Sequence, residues 1–242
     1  QDLPRPHLNT LTQSGYAVVA FDYPLAPAAK LDMIMNYVES SIQYYINHSS
    51  ELIETSASNE KALPYFLWGR SYLCLIAAGK GTYTQAPAGI LSYYGYGFLC
   101  DNWFKEPSRH YCTLPKVPES VLSAVPSELH TDGDLDTHYS VYVYARQQGN
   151  WLDLFYEGRE KFFYLDYTLR ACDKLPCPLF CAHSTGDTDV PFSEFTELSN
   201  KYHAKRFIVS GTEHDFDRDV KNPFTQKVLD ETVAFVEKCL NK

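Results

Sequence analysis

The chain of 242 residues is long enough for one large domain, or for one domain that carries a sizeable insertion. Its 30 acidic residues against 21 basic ones give a formal charge of −9, without a cluster of Lys and Arg. Because affinity for phosphate groups depends on clustered cations, this balance argues against nucleic acid or an anionic membrane as the partner. The sequence has no apolar run approaching about 18 residues and no charged segment followed by an apolar one, so we expect neither a membrane span nor a signal peptide.

Cysteine and aromatic content narrow the class of protein further. Seven cysteines form an odd set without a C-x-x-C pair, and buried free thiols in a reducing compartment explain such a set better than a disulfide framework does. We therefore expect a cytoplasmic protein. Aromatic residues make up 15% of the chain; in that number they commonly line an apolar pocket or an interface, although a thick core accounts for many of them.

Hydrophobic periodicity divides the N-terminal part of the chain into alternating strands and helices. Residues 16–23 (YAVVAFDY) stop before Pro24 and are rich in β-forming residues, which predicts a buried strand. Apolar residues at helical spacing predict an amphipathic helix over 28–48, and the polar residues 49–61 predict a loop. The remaining elements predicted here are a strand over 63–68, a sharp turn at 69–71, a short apolar helix over 72–78 and a strand over 89–96.

The C-terminal part of the chain continues this alternation. Its predicted elements are a strand over 178–183, a helix over 193–202, a strand over 206–210 and a long closing helix over 223–240. Almost continuously apolar strands that alternate with helices are typical of a parallel sheet covered by helices on both faces. We therefore expect an α/β protein with a mostly parallel sheet.

Residues 98–175 break this alternation and are rich in aromatic side chains. A structureless loop of that length is uncommon inside a compact domain, so the segment is predicted to form an inserted lid or small subdomain. Its position between two sheet strands would place it over the strand ends where ligands bind; a helical ornament or a homodimer interface is the alternative. The predicted organisation is a core of 1–97 and 176–242 with a lid at 98–175.

A serine lies on a sharp turn between a predicted strand and a predicted helix, in the sequence Gly69-Arg70-Ser71. Such a turn projects the serine hydroxyl above the sheet edge and faces the next backbone amide toward a developing oxyanion. The full pattern is G-x-S-x-G, whereas this chain reads GRSYL and lacks the second glycine. From these residues alone, Ser71 is either a nucleophile or an N-cap residue with no other role.

Two polar loops follow late strands of the predicted sheet. Asp187 lies in the loop HSTGDTDVP, and His214 lies in the loop GTEHDF after the last strand. Both loops leave the C-terminal end of a strand, as Ser71 does, and the chain order serine, acid, histidine is that of α/β-hydrolase triads. A serine hydroxyl needs a neutral imidazole to take its proton and a carboxylate to orient that imidazole, so the three residues together predict nucleophilic catalysis.

The chain resembles the esterase/lipase branch of the α/β-hydrolase superfamily, near its acetyl-esterase, hormone-sensitive-lipase-like and prolyl-oligopeptidase-like members. SGYAVVAFDYPLAPAAKL is similar to the strand and turn GY-VVS-DYRLAPE of that branch, with Pro24 and Ala28 in place of its usual Arg and Glu. HSTGDTDVPFSE resembles its HG-AD-DVPF-E loop, and GTEHDF resembles its G-HGF loop. The resemblance covers the chain apart from the insertion and is greatest to small, uncharacterised bacterial hydrolases. It implies an α/β-hydrolase three-layer sandwich with Asp187 as the catalytic acid and His214 as the base.

Two features of that branch are missing from the sequence. Its oxyanion loop, an H-G-G-G stretch after an early strand, is absent, and the turn after Ser71 is a few residues shorter than G-x-S-x-G-A requires. We expect that residues are omitted from the sequence at both places; a degenerate, inactive hydrolase is the alternative. With the turn as it stands, the backbone amide of Tyr72 is expected to supply half of the oxyanion hole.

The resemblance and the triad order together imply a reaction. We expect hydrolysis of a small, largely neutral carboxylic ester, in which Ser71 attacks the carbonyl, His214 transfers protons and Asp187 orients His214. No metal or organic cofactor is expected, and the substrate-binding residues stay unassigned. An amidase or peptidase with the same triad is one alternative. A catalytically inactive scaffold that binds a ligand or partner through the lid is the other.

Other polar residues compete for roles at these loops. Asp189 is the main rival of Asp187 as the triad acid, and His183 is predicted to be a packed, hydrogen-bonded residue rather than a second base. The run HTDGDLDTH at 130–138 suggests calcium or zinc, but it lacks the features of an EF-hand loop and is predicted to be a solvated loop. The further acids near these loops are Asp215 and Asp217.

Overall fold

A computed structural model describes residues 3–53, 62–71, 77–79, 81, 83–98, 103–154, 156 and 167–241. The helices are α1 (Arg5–Gln13), α2 (Leu31–Leu52), α3 (Leu135–Gln148), α4 (Phe192–Lys201) and α5 (Pro223–Leu240). The strands are β1 (Phe66–Arg70), β2 (Gly89–Tyr93), β3 (Leu179–Ser184) and β4 (Lys205–Val209). Short 3-10 helices lie at Tyr111–Thr113, Glu119–Ser123, Trp151–Leu154 and Leu169–Ala171. Within these ranges no helix is both long and apolar enough to cross a membrane.

The four strands form one parallel sheet in the order β1-β2-β3-β4. The central strands β2 and β3 are buried along their whole length, as expected when both faces of a parallel sheet are covered. The register pairs Arg70 with Tyr93 at the C-terminal ends of β1 and β2, and Ser184 with Val209 at the C-terminal ends of β3 and β4. Since all four strands run in the same direction, their C-terminal ends meet at one edge of the sheet.

Helices cover both faces of this sheet. On one face α5 packs against alternate residues of the strands, in a cluster that includes Leu91, Tyr93, Phe180, Ala182, Val209, Val228, Leu229, Phe235 and Val236. On the other face α4 contributes Phe195, whose ring centroid lies 5.6 Å from that of His183. His183 and Phe180 are an odd number of positions apart on β3, so their side chains point to opposite faces.

The helix α5 begins and ends where the sequence predicted. Asn222 caps its first turn by accepting a hydrogen bond from the backbone N of Phe224 at 3.0 Å, and Pro223 occupies the first helical position, where its missing N–H loses nothing. The predicted helices that became α2 and α4 and the predicted strands that became β1 to β4 are confirmed, with ends that differ by a few residues. Most of the helix predicted over 72–78 lies outside the described residues.

The strand predicted over 16–23 is wrong. These residues form no ladder with any described strand, and Val19, Phe21 and Tyr23 are each 38% exposed. A β-forming composition does not by itself make a strand, because strand formation also depends on packing and on pairing with a neighbour, and residues 16–23 pair with none of the described strands. The sequence analysis also did not predict α1.

The chain divides into two compact units. The first contains Gln1–Ala20, Ser41–Gly97 and Leu169–Lys242, and it holds the sheet; the second contains Phe21–Ser40 and Phe98–Thr168. In the second unit, Phe98 and Thr168 form an antiparallel bridge at the two ends of their segment. The structure thus groups 21–40 with 98–168, whereas the sequence placed 21–40 with the core. A lid function for the insertion stays a prediction.

The aromatic residues of the second unit form a core of their own. Phe104 is fully buried, and its ring centroid lies 5.0 Å from that of Trp103 and 5.7 Å from that of Trp151. The guanidinium of Arg146 lies over the rings of Trp103 and Tyr111, at 4.9 and 5.4 Å, which is cation–π geometry. Part of the high aromatic content is therefore used in internal packing.

None of the five described cysteines forms a disulfide, and not all of them are buried. Cys181 is buried, Cys112 is exposed, and the partly exposed ones are Cys172, Cys177 and Cys239. The expectation of buried thiols is therefore wrong for the last four, because they lie on loops, near a helix end and at a 3-10 helix rather than in the sheet. Cys74 and Cys100 lie outside the described residues.

Replacing Phe180 by Ala tests the sheet core. Phe180 is fully buried beneath α5, so Phe180→Ala should lower the free energy of unfolding by about 3–5 kcal/mol. Val220 is 62% exposed, and the control Val220→Ala should change it by no more than about 0.5 kcal/mol. Urea denaturation of both variants measures the two values. Equal losses would contradict this assignment of the core.

Candidate active site

The loops after β3 and β4 run side by side and are joined by backbone hydrogen bonds. Thr185 N donates to Val209 O and Gly186 N donates to Gly211 O, both at 2.8 Å. A Cβ atom on Gly186 would lie 3.1 Å from Gly211 O, closer than side-chain carbons normally approach backbone. Glycine at this position therefore permits the close contact of the two loops.

This contact brings Asp187 and His214 together. His214 Nδ1 donates to Asp187 Oδ2 at 2.8 Å, and Asp187 Oδ1 accepts from the backbone N of Asp189 at 2.8 Å and of Val190 at 2.9 Å. The side chain of Asp187 has no exposed surface, whereas that of His214 is 21% exposed. Because an ionised carboxylate only accepts hydrogen bonds, the neutral imidazole carries its hydrogen on Nδ1 and its lone pair on Nε2. That tautomer suits His214 to accept a proton at Nε2.

The charges of the pair are set by burial and by their hydrogen bonds. Burial opposes the ionisation of Asp187, but the hydrogen bond from His214 and the electrostatic interactions with His214 and His183 lower the pKa of Asp187 below its ordinary value. Burial also opposes the protonation of His214, yet the hydrogen bond to Asp187 and the nearby charge of Asp189 raise its pKa above the ordinary value. Asp187 is therefore an anion at neutral pH, and His214 takes up a proton more readily than a free imidazole.

None of the competing acids contacts His214 Nδ1. Asp189 Oδ2 is 3.7 Å from His214 Nε2, on the side of the ring opposite the nitrogen that Asp187 orients. Asp215 lies 3.5 Å from Arg218 at the surface. Asp217 is fully buried among His7, Arg70 and Tyr94. Of the four acids, Asp187 is the one that contacts His214 Nδ1.

His183 is a packed residue, as the sequence predicted. Its side chain has no exposed surface, Nε2 donates to Val190 O at 3.1 Å, and the same nitrogen lies 3.3 Å from Asp187 Oδ2. Burial lowers the pKa of His183, although the charge of Asp187 opposes that change. A neutral His183 therefore contributes to the surroundings of Asp187 and is inaccessible to solvent.

Ser71 directly follows β1 and has a φ of 78°, in the left-handed region that residues with side chains rarely occupy. Its backbone N donates to Tyr93 O at 2.9 Å, which holds the turn against the end of β2. A strained non-glycine residue at the end of a strand is typical of a nucleophile elbow. Tyr72, the expected oxyanion donor, lies outside the described residues.

The three predicted site residues therefore follow three parallel strands at one edge of the sheet. The structure joins Asp187 to His214, and it records no hydrogen bond between Ser71 and His214, both of which are described. Sequence reasoning missed the contacts of Asp217 with Arg70 and His7. Arg70 is the middle residue of the Gly69-Arg70-Ser71 turn, and that position could have indicated a role near the site. No sequence pattern pointed to His7.

The run at 130–138 forms a loop and a helix start. His130 Nε2 and His138 Nε2 are 3.1 Å apart, and their Nδ1 atoms contact the backbone oxygens of Glu128 and Asp134. The Asp134 side chain caps α3 by accepting from Thr137 N at 2.8 Å. Across the described ranges, no group of three or more metal-binding side chains comes together.

Asp189→Asn tests the electrostatics around His214. The substitution removes a negative charge 3.7 Å from Nε2, so it should lower the pKa of His214, which the ring resonances report in an NMR pH titration. Asp215→Asn is the matched control: the Asp215 side chain is 47% exposed, and its charge is the weakest of the contributions that raise this pKa. A larger shift in Asp215→Asn than in Asp189→Asn would contradict the geometry.

No family model matches the sequence, and no curated protein matches it. Several solved protein structures match it. A Staphylococcus aureus protein of unknown function matches with a TM-score of 0.80 and 24% identity, over 99% of this chain and 84% of that one. An α/β hydrolase superfamily protein from Enterococcus faecalis matches with a TM-score of 0.79 and 23% identity, over 98% of this chain and 84% of that one.

More distant structures have names that state an activity. An esterase from Pyrococcus furiosus matches with a TM-score of 0.56 and 14% identity, over 97% of this chain and 74% of that one. Carboxyl esterase 2 from Tuber melanosporum matches with a TM-score of 0.56 and 15% identity, over 97% of this chain and 71% of that one. Similarity at these identities shows shared architecture. Together with the parallel sheet and its two helical layers, it establishes that the chain has the α/β-hydrolase fold.

Proposed function

We propose that the chain is a serine hydrolase that cleaves a small, largely neutral carboxylic ester. The observation that carries the proposal is the hydrogen-bonded pair of Asp187 and His214 at the sheet edge where Ser71 has the backbone of a nucleophile elbow. The named esterases among the proteins of similar fold support ester chemistry. The triad and the substrate class are our proposal.

In the first half of the reaction, Ser71 Oγ attacks the ester carbonyl and gives its proton to His214 Nε2. Asp187 accepts the Nδ1 hydrogen throughout, which keeps Nε2 free to take that proton and stabilises the imidazolium that forms. His214 then donates the proton to the leaving alkoxide, and the acyl group stays on Ser71. The backbone amide of Tyr72 is the proposed oxyanion donor.

In the second half, His214 Nε2 takes a proton from water, whose oxygen attacks the acyl-enzyme. The Ser71 oxygen leaves as the carboxylic acid forms, and His214 gives the proton to that serine oxygen. Asp189 assists both halves, because its carboxylate near Nε2 favours the imidazolium in each transition state. No step requires a metal or an organic cofactor.

The charges around His214 favour a neutral substrate. Asp187, Asp189 and Asp215 all contribute negative potential at the imidazole, and a substrate carboxylate placed there would be repelled. The net charge of −9 acts in the same direction at longer range. An uncharged ester meets neither penalty.

A fluorophosphonate tests the nucleophile. We expect one adduct per chain, on Ser71, because the reagent reacts with serines that a neighbouring base activates. Intact mass and peptide mapping measure stoichiometry and position, and His214→Ala should abolish the adduct. Ser210→Ala is the control, since Ser210 is exposed and directly follows β4 at the same edge; it should label normally. A folded protein that forms no adduct would overturn the proposal.

Ester and amide substrates with the same acyl group separate the two hydrolase alternatives. We expect turnover of p-nitrophenyl acetate and, for the matched p-nitroanilide, little or none. Ser71→Ala should lower kcat/KM for the ester by at least about 1000-fold, because catalysis through the triad depends on its nucleophile. Equal turnover of ester and anilide would favour an amidase.

A further inference from the structure

Four side chains form a buried hydrogen-bonded group beside the candidate active site; we call Asp217, His7, Arg70 and Tyr94 the Asp217 cluster. Asp217 Oδ1 accepts from the Tyr94 hydroxyl at 3.0 Å and from Arg70 Nη2 at 3.3 Å. Asp217 Oδ2 accepts from His7 Nε2 at 2.7 Å. Arg70 Nε donates in turn to the Tyr94 hydroxyl oxygen. The side chains of Asp217 and His7 have no exposed surface.

The charge states of the cluster agree with this pattern of donors and acceptors. Burial opposes the ionisation of Asp217, but the hydrogen bond from His7 and the charge of Arg70 lower the pKa of Asp217 below its ordinary value. Burial and the charge of Asp217 raise the pKa of Tyr94. At neutral pH, Asp217 is therefore an anion that accepts every bond, and Tyr94 keeps the hydrogen that it donates.

The cluster connects the two loops that carry the proposed nucleophile and base. Arg70 is the residue before Ser71, and Asp217 is three residues after His214. The bond between Arg70 and Asp217 therefore links the turn after β1 to the loop after β4, although β2 and β3 lie between these strands in the sheet. The distance between the two loops depends in part on this ion pair.

Tyr94 extends the connection to the imidazole itself. Its ring centroid lies 4.6 Å from that of His214, with the ring planes tilted by 57°. The backbone of Tyr94 has a φ of 41°, and its N donates to Ala182 O at 2.6 Å, so the residue is held at the end of β2. Because its hydroxyl is also hydrogen-bonded to Asp217, the Tyr94 ring is held in a fixed position against the His214 ring.

We propose that Asp217 is a positioning residue that sets the geometry between Ser71 and His214. It does so through Arg70, which precedes the nucleophile, and through Tyr94, which limits the rotation of the imidazole. The inference rests on the proposed serine hydrolase function. Replacing a buried ion pair by apolar residues often leaves protein stability unchanged or raises it. A contribution to stability therefore explains the Asp217 cluster poorly. The alignment of two loops explains it more specifically.

Asp217→Asn and Tyr94→Phe test the inference. Asp217→Asn keeps the shape and removes the charge; kcat for p-nitrophenyl acetate should fall about 10- to 100-fold with KM nearly unchanged, because small misplacements of reacting groups slow the chemical step. Tyr94→Phe keeps the ring against His214 and removes only the hydroxyl, so its kcat should fall less. The double variant should be no slower than Asp217→Asn, because Tyr94→Phe removes only a part of the connections that Asp217→Asn already weakens.

Thr232→Val is the matched control for a lost buried hydrogen bond. Thr232 lies on α5 with no exposed surface, and its Oγ1 is 2.7 Å from the Tyr93 hydroxyl. This variant should lose stability but keep the wild-type kcat. Fluorophosphonate labelling separates positioning from partial unfolding: Asp217→Asn should reach the full adduct stoichiometry on Ser71 at a reduced rate.

The outcomes separate the two proposals. A Ser71 adduct in the wild type, together with wild-type rates of labelling and turnover in Asp217→Asn, would overturn the positioning role and leave the proposed function intact. No Ser71 adduct in the wild type would overturn both. If Asp217→Asn does not fold, Tyr94→Phe carries the test, and a wild-type rate in that variant would remove the proposed connection to the imidazole.

Discussion

The loops that follow β3 and β4 continue the hydrogen bonding of this parallel strand pair beyond the sheet. Thr185 bonds to Val209, and Gly186 bonds to Gly211, where a Cβ atom on Gly186 would lie 3.1 Å from Gly211 O. This backbone contact places Asp187 within 2.8 Å of His214, and the burial, charges and tautomer of the pair depend on it. Polar groups that are already in position do not have to reorganise during a reaction. The backbone contact between the two loops therefore prepares Asp187 and His214 for proton transfer.

Two buried carboxylates at one sheet edge are held in different ways. Asp187 is satisfied by His214 and by two backbone N–H groups of its own loop. Asp217 is satisfied by side chains from distant parts of the chain, namely His7, Arg70 and Tyr94. Asp187, held by its own loop, orients the imidazole of His214. The long-range set connects three loops of the sheet edge to α1, so it constrains how those loops lie relative to one another.

The elements with strong periodicity and clear end signals were predictable. For α5, Asn222 and Pro223 mark the start, and apolar residues at helical spacing mark its buried face. The failure at 16–23 has a physical reason, because residues such as Val19 and Phe21 favour extended backbone, but pairing requires a neighbouring strand. The helix α1, with its short and mostly polar sequence, gave little periodic signal, and His7 was missed with it.

The sequence by itself determined the four strands of the sheet, the helices α2, α4 and α5, the turn that holds Ser71, and the two loops that carry Asp187 and His214. These are local properties, since spacing, glycines and β-forming runs act over a few residues. The tertiary structure decided which acid contacts His214, because Asp187, Asp189, Asp215 and Asp217 are chemically equivalent until backbone contacts bring one of them to Nδ1. It also decided that Asp217 joins Arg70, Tyr94 and His7. Those partners lie 123 to 210 positions away along the chain, and only folding brings such distant groups into one buried cluster.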